Sequence, residues 1–162
     1  LLDEVIKETQ GIEVVEEQDV QIDLAVSSYI PDNFIENSSQ KIEIYQNIAL
    51  CRTEEELQNV IDEVIDRYGR LPKELENLID IARIKQLARK ANILKIAQRE
   101  NGIVFYFVKE KIKPEMVNAL IIKYPMLVKF SNAVEPYVTL RIKENENIIE
   151  KAKEFLNTVI EI

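Results

Sequence analysis

Glu63, Asp66 and Arg67 lie in one short stretch, EVIDRYGRLP, where charge, an aromatic, a Gly and a Pro come close together. Glu63 and Arg67 are four residues apart with the acid first, the favourable order for pairing along a helix. Asp66 falls further round the polar side. Such an edge can be a solvated ion pair worth ~0.3–0.5 kcal/mol. It can also offer a carboxylate and a guanidinium to a partner that reads them in bidentate fashion. Spacing alone leaves both readings open.

Other chemistry is scarce. The chain has no His and one Cys. A Ser-His or Cys-His mechanism therefore lacks its base, a structural zinc lacks its ligands, and no disulfide can close within the chain. Cys51 comes after an apolar helical stripe of Ile42, Tyr45, Ile48 and Ala49, where a free Cys is expected to be a small core residue. A lone Cys also fits a reducing cytoplasm. With three Gly in 162 residues and neither a Walker A pattern nor GxGxxG, no loop is suited to cradle a phosphate. The 29 acids form no recognisable catalytic arrangement. The expectation is a non-catalytic chain with no metal and no cofactor.

Charge divides the chain. Residues 1–70 carry 17 acids and 5 bases, net −12, and residues 71–162 carry 12 acids and 16 bases, net +4, which together give −8. The acidic part should repel nucleic acid and could steer toward a basic protein surface. The basic run Arg83, Lys85, Arg89 and Lys90, with Lys95 beyond, shares no narrow helical face and is expected to be solvated surface. Phe105, Tyr106 and Phe107 alternate, so the two Phe share one face of a strand. Core packing explains that pair more simply than base stacking.

These residues need elements to hold them. Residues 1–10 read as the last turns of a helix stopped at Gly11, and 12–19 as an acidic linker. LLDEVIKETQ has neither an initiator Met nor the pattern of a signal peptide, so a piece of a longer protein is expected. No apolar run is long enough to span a membrane. Val20, Ile22, Leu24 and Val26 alternate as a half-buried strand. A helix is expected over about 38–50. Thr53-Glu54-Glu55-Glu56 is a capping box that opens a helix to about Tyr68, with Leu57, Val60, Ile61, Val64 and Tyr68 on one stripe. Gly69 ends it. Pro72 suits the first turn of the next helix, which runs to about Ala91. That helix has two apolar faces, Leu75, Leu78, Ile79 and Ala82 against Ile81, Ile84, Ala88 and Ala91. Its first half should pack on the two preceding helices, and its second half on the strands and helices C-terminal to it. Residues 94–160 read as β-β-α-β-β-α, with Asn101-Gly102 as the first hairpin turn. The expected fold is α+β: an N-terminal strand and helical hairpin, a central two-faced helix, then a four-stranded antiparallel sheet with helices on one face.

YIPDNFI at 29–35, QKIEIYQNIA at 40–49, TEEELQNVIDEVIDRYGRLP at 53–72 and LIDIARIKQLARKANI at 78–93 occur in an order that resembles the C-terminal domain of the bacterial transcription-repair coupling factor, Mfd. The resemblance runs from about residue 20 and weakens after about 110. It implies a parent protein that is an ATP-dependent DNA translocase, with ATP and Mg held in upstream modules. That parent displaces stalled RNA polymerase and recruits UvrA in nucleotide-excision repair. It implies for residues 20–162 a regulatory clamp, helical over about 38–92 and sheet-bearing over about 93–162. The clamp packs on the UvrB-like N-terminal module and masks the UvrA-binding surface, and direct DNA contact is not expected of it. Residues 1–19 would end the preceding translocase helix and supply the linker. By position in the motif, Glu63, Asp66 and Arg67 fall where that family places charged contacts to the module. The family commonly has Phe where this chain has Tyr68, a swap that a core ring should tolerate. The competing reading is an accessory nucleic-acid-binding module of the translocase.

Overall fold

The computed structural model describes residues 19–162; the helix end read over 1–10 and all of the linker read over 12–19 except Asp19 lie outside the described residues. Five helices and one five-stranded sheet occur among the described residues. In chain order they are β1 (Gln21–Asp23), α1 (Ser38–Leu50), α2 (Glu54–Tyr68), α3 (Lys73–Lys90), β2 (Ile93–Arg99), β3 (Gly102–Phe107), α4 (Pro114–Lys123), β4 (Val128–Ser131), β5 (Tyr137–Arg141) and α5 (Ile148–Ile160).

The α+β class is as the periodicity predicts, and the sheet differs in one respect. It has five strands in the order β1-β2-β3-β5-β4, and it is mixed, because β1 pairs in parallel with β2. The strand expected to stand apart at the N-terminus is thus the sheet's edge. Its alternation is a half-buried one, with Val20 buried and Ile22, Leu24 and Val26 packed against the sheet core. Pairing partners set 70 or more residues away are invisible to local periodicity.

The hairpin turn also moves. Arg99 pairs with Gly102, so Glu100 and Asn101 form the two-residue turn, and neither takes a positive φ. Gly102 is in the strand for a different reason. A Cβ there would stand 2.2 Å from the Leu140 carbonyl oxygen of β5, a distance no side chain tolerates.

The core has two parts. Ile30, Ile35, Ile44, Ile48, Leu57, Ile61, Val64, Leu75 and Ile79 pack between α1, α2 and the first half of α3. The second part lies under the sheet, where Ile96, Ile103, Phe105, Val138 and Leu140 meet Ile84 and Ala88 of α3 and Phe155 and Leu156 of α5. The Phe105 and Phe155 rings stack with centroids 3.9 Å apart, both fully buried. Helix α3 therefore serves both cores, as its two faces predict; Ile81 joins neither. On α1 the buried face is Ile44 and Ile48, and Ile42 is 55% exposed. Tyr45 packs beside them, while Ala49 faces solvent with Ile42.

Candidate protein-interaction site

Helix α2 is fixed at both ends. The Thr53 side chain accepts from the Glu56 N–H at 3.1 Å, and the Glu56 carboxylate accepts from the Arg52 N–H at 3.1 Å, a reciprocal cap one residue wider than the ordinary box. At the other end the Gly69 N–H donates to the Ile65 carbonyl at 2.9 Å, with Gly69 at φ 95°, ψ −158°. Pro72 is the N-cap of α3, just outside the helix, and its carbonyl accepts from Leu75 and Glu76. Between these stops the stripe of Leu57, Ile61 and Val64 is buried. The stripe fixes the rotation of the helix, and so the direction in which the charged edge points.

Glu63, Asp66 and Arg67 are all on the solvent side. The Arg67 guanidinium lies 3.7 Å from the Glu63 carboxylate, and their side chains are 42% and 59% exposed. That separation is a loose ion pair, worth ~0.3–0.5 kcal/mol at such exposure. Arg67 also lies over the Tyr68 ring, 5.1 Å from its centroid, and that ring packs against Phe34 at 6.0 Å. The guanidinium is thereby held upright at the helix end. Asp66 has no hydrogen-bond or ion-pair partner among the described residues. The crease beside this edge, between α1 and α2, holds about 10 Å³. Room for one water at most means that a partner would meet a surface here and not enter a pocket. The helix carries six acids against one base over Glu54–Tyr68, so its field attracts cationic groups.

The sequence puts Arg83 among solvated bases, and the structure places it elsewhere. Its Nε donates to both Glu54 oxygens at 3.0 and 3.1 Å, and its Nη1 donates to Asp80 at 3.1 Å. Lys153 of α5 reaches the same Asp80 oxygen at 2.7 Å. This network ties the start of α2 to α3 and to α5, joining the two cores on one side. The acid-to-base spacing of Asp80 and Arg83 is a local signal; partners 29 and 73 residues distant are not. Cys51 is buried, with its Sγ donating to the Asn47 carbonyl, and burial pushes the thiol up from its ordinary range. It is a core residue and a poor nucleophile. No cluster of metal-ligating side chains occurs among the described residues. No helix among them is long and apolar enough to cross a membrane.

The model of the TRCF domain family matches residues 24–117, more than half of the chain. The chain belongs to the TRCF domain family. It is 32% identical over 164 residues to the transcription-repair-coupling factor of Rickettsia typhi, covering all of this chain and 15% of that protein. It is 30% identical over 152 residues to that of Escherichia coli, covering 93% of this chain and 13% of the relative. With that of Staphylococcus epidermidis it shares 36% over 105 residues, 64% of this chain and 9% of the relative. The chain thus spans about one seventh of the length of the first two relatives. Among solved structures, the C-terminal domain of a transcription-repair coupling factor superposes with a TM-score of 0.78 at 20% identity, over 88% of this chain and 92% of that one. That likeness establishes the TRCF fold. The family match includes the whole of α2, and so the charged edge lies inside the matched part of the chain.

Proposed function

We propose that this TRCF domain is the non-catalytic regulatory domain of a transcription-repair coupling factor acting in transcription-coupled nucleotide-excision repair. In this reading it is an autoinhibitory clamp. It packs on the UvrB-like N-terminal module of its parent, masks the UvrA-binding surface, and restrains the ATP-dependent DNA translocase until stalled RNA polymerase is engaged. ATP and Mg belong to the parent's translocase modules, and the setting is the cytoplasm.

The observation that carries this reading is the edge of Glu63, Asp66 and Arg67: exposed, loosely paired, and held in one direction by a helix capped at both ends. A carboxylate without an internal partner beside a guanidinium suits a partner surface bearing both signs of charge. A polar interface of this kind has a modest net free energy, because desolvation offsets much of the attraction. Competing contacts worth a few kcal/mol can then open it, as a clamp requires.

The test is calorimetric titration of this chain against the separately expressed UvrB-like module, with wild type and with Glu63→Ala/Asp66→Ala/Arg67→Ala. Binding that weakens with salt and is lost in the triple variant supports the clamp and its contact. Binding unchanged by the variant moves the contact elsewhere on the domain. Absence of binding at any attainable concentration refutes a clamp on that module.

A further inference from the structure

Helices α3, α4 and α5 supply the core on one face of the sheet. By the strand register, the other face presents Lys95 and Arg99 of β2, Gly102 and Tyr106 of β3, Tyr137 and Arg141 of β5, and Lys129 of β4. Its floor is made of small residues, Ala97, Gly102 and Val104, all buried.

Two features of this face are built by the pairing. First, Arg99 and Arg141 both pair with Gly102, one on each side. Strands ~4.8 Å apart set the two arginine backbones roughly 10 Å apart with no side chain between them. The hollow that results has a volume of about 460 Å³ and is bordered by Arg99, Lys129, Thr139 and Arg141. Arg99 donates to the carbonyl of its neighbour Gln98, and none of these three cations has an ion-pair partner among the described residues. Second, Tyr106 and Tyr137 are paired across β3 and β5, with ring centroids 5.7 Å apart, and Lys95 caps the Tyr106 ring at 5.6 Å. Tyr106 is four residue steps along β3 from Gly102, about 13 Å. The acids near this face are at its rim: Asp23 on β1, Glu100 on the hairpin turn, Glu135 before β5, and Glu144 and Glu146 beyond the end of β5.

We propose that this sheet face binds single-stranded nucleic acid, with phosphates at Arg99, Arg141 and Lys129 and bases on Tyr106 and Tyr137. Charge complementarity selects the ligand: in a chain of net charge −8, unpaired cations converge here on a polyanion's width. The tyrosine pair beside them separates a nucleic acid from an acidic peptide, because aromatic rings on a sheet stack with any base. The pair is not legible in the sequence, since Tyr137 comes from a strand 31 positions beyond Tyr106. The surface is distinct from the α2 edge, and its test is separate from that of the clamp.

The experiment is fluorescence anisotropy of a labelled oligothymidylate of about ten nucleotides, within the span of one small fold. It is titrated with the 162-residue chain at several salt concentrations. Three phosphate contacts give a log–log salt slope of about −2 for a single strand. Arg99→Gln/Arg141→Gln, which keeps side-chain length, should bring the slope to about −0.7. Tyr106→Ala or Tyr137→Ala should weaken binding by about tenfold each at an unchanged slope. Circular dichroism confirms that each variant is folded, and Tyr106→Leu serves where the Ala variant is not. Absence of binding at low salt overturns the proposal. So does binding that ignores the Arg pair, and so does equal displacement of the oligonucleotide by polyglutamate, which would assign the face to an acidic protein.

Discussion

Gly69 offers a test of how firmly α2, and with it the charged edge, is terminated. At φ 95°, ψ −158° it occupies backbone space that side-chain-bearing residues rarely enter. A Cβ built there meets nothing within 4 Å, so Gly69→Ala adds no clash with the rest of the molecule. The cost is the backbone's alone, ~1–3 kcal/mol for holding such a residue in that region. Alanine also narrows the unfolded ensemble, which returns ~0.4–1 kcal/mol. With central values of about 2 and about 0.7 kcal/mol, the net loss is about 1.3 kcal/mol, or about 3–5 °C in Tm for a chain of this size. Urea unfolding monitored by circular dichroism should show a lower midpoint at unchanged slope. Hydrogen exchange of the Gly69 amide, bonded to the Ile65 carbonyl, should speed up more than that of the α2 interior. A variant within a few tenths of a kcal/mol of wild type would refute the reasoning. It would mean that the helix end relaxes into another cap, and that Arg67 is not fixed by it.

Four further outcomes are expected. The Tyr68 hydroxyl is buried with no hydrogen-bond partner among the described residues, so Tyr68→Phe should stabilise by about 1 kcal/mol in the same urea assay. Gly102→Ala should cost more than Gly69→Ala, because its Cβ would stand 2.2 Å from a backbone oxygen that can retreat only if β5 shifts. Asp80→Asn weakens ion pairs to Arg83 and Lys153 whose side chains are 18–30% exposed; a loss of about 1–2 kcal/mol, between exposed and buried pairs, should appear in thermal unfolding. The Lys151 ammonium and the Lys143 N–H hold the Glu146 carboxyl below its usual range. Because the folded state prefers that carboxylate ionised, its contribution is present above about pH 4.3 and lost as pH falls through the lower folded value. The stability gap between wild type and Glu146→Gln should therefore close as the solution is acidified, which a pH series of unfolding midpoints reads directly.

Much of this architecture was legible because its signals are local. The Thr53 cap, the Gly69 stop and the apolar stripe of α2 are fixed by neighbours within a few turns, and they place the charged edge without tertiary information. The two faces of α3 were legible for the same reason. The features that escaped were set by distance along the chain. The parallel pairing of β1, the bond from Arg83 to Glu54 and the meeting of Tyr106 with Tyr137 each join residues far apart in sequence. Gly102 misled in another way. Asn-Gly is a turn signal when glycine is needed for a positive φ, and here glycine is needed because two strands approach too closely for a Cβ. Ile42 misled because a helix with several β-branched and aromatic positions offers more than one plausible apolar stripe; contact with α2 and α3 decides between them.

The parallel pairing of β1 with β2 also dictates an order of events in time. Gln21 meets Lys95 only after everything between them has been made, and that interval contains all of α1, α2 and α3. Closing so long a loop is entropically unfavourable until its interior has compacted, whereas the three helices contact near neighbours and can form early. The helical half is thus the scaffold on which the sheet's first edge is laid, and β1, three residues long, is among the last pieces to lock. During synthesis the charged edge of α2 would be shaped while the sheet was still incomplete.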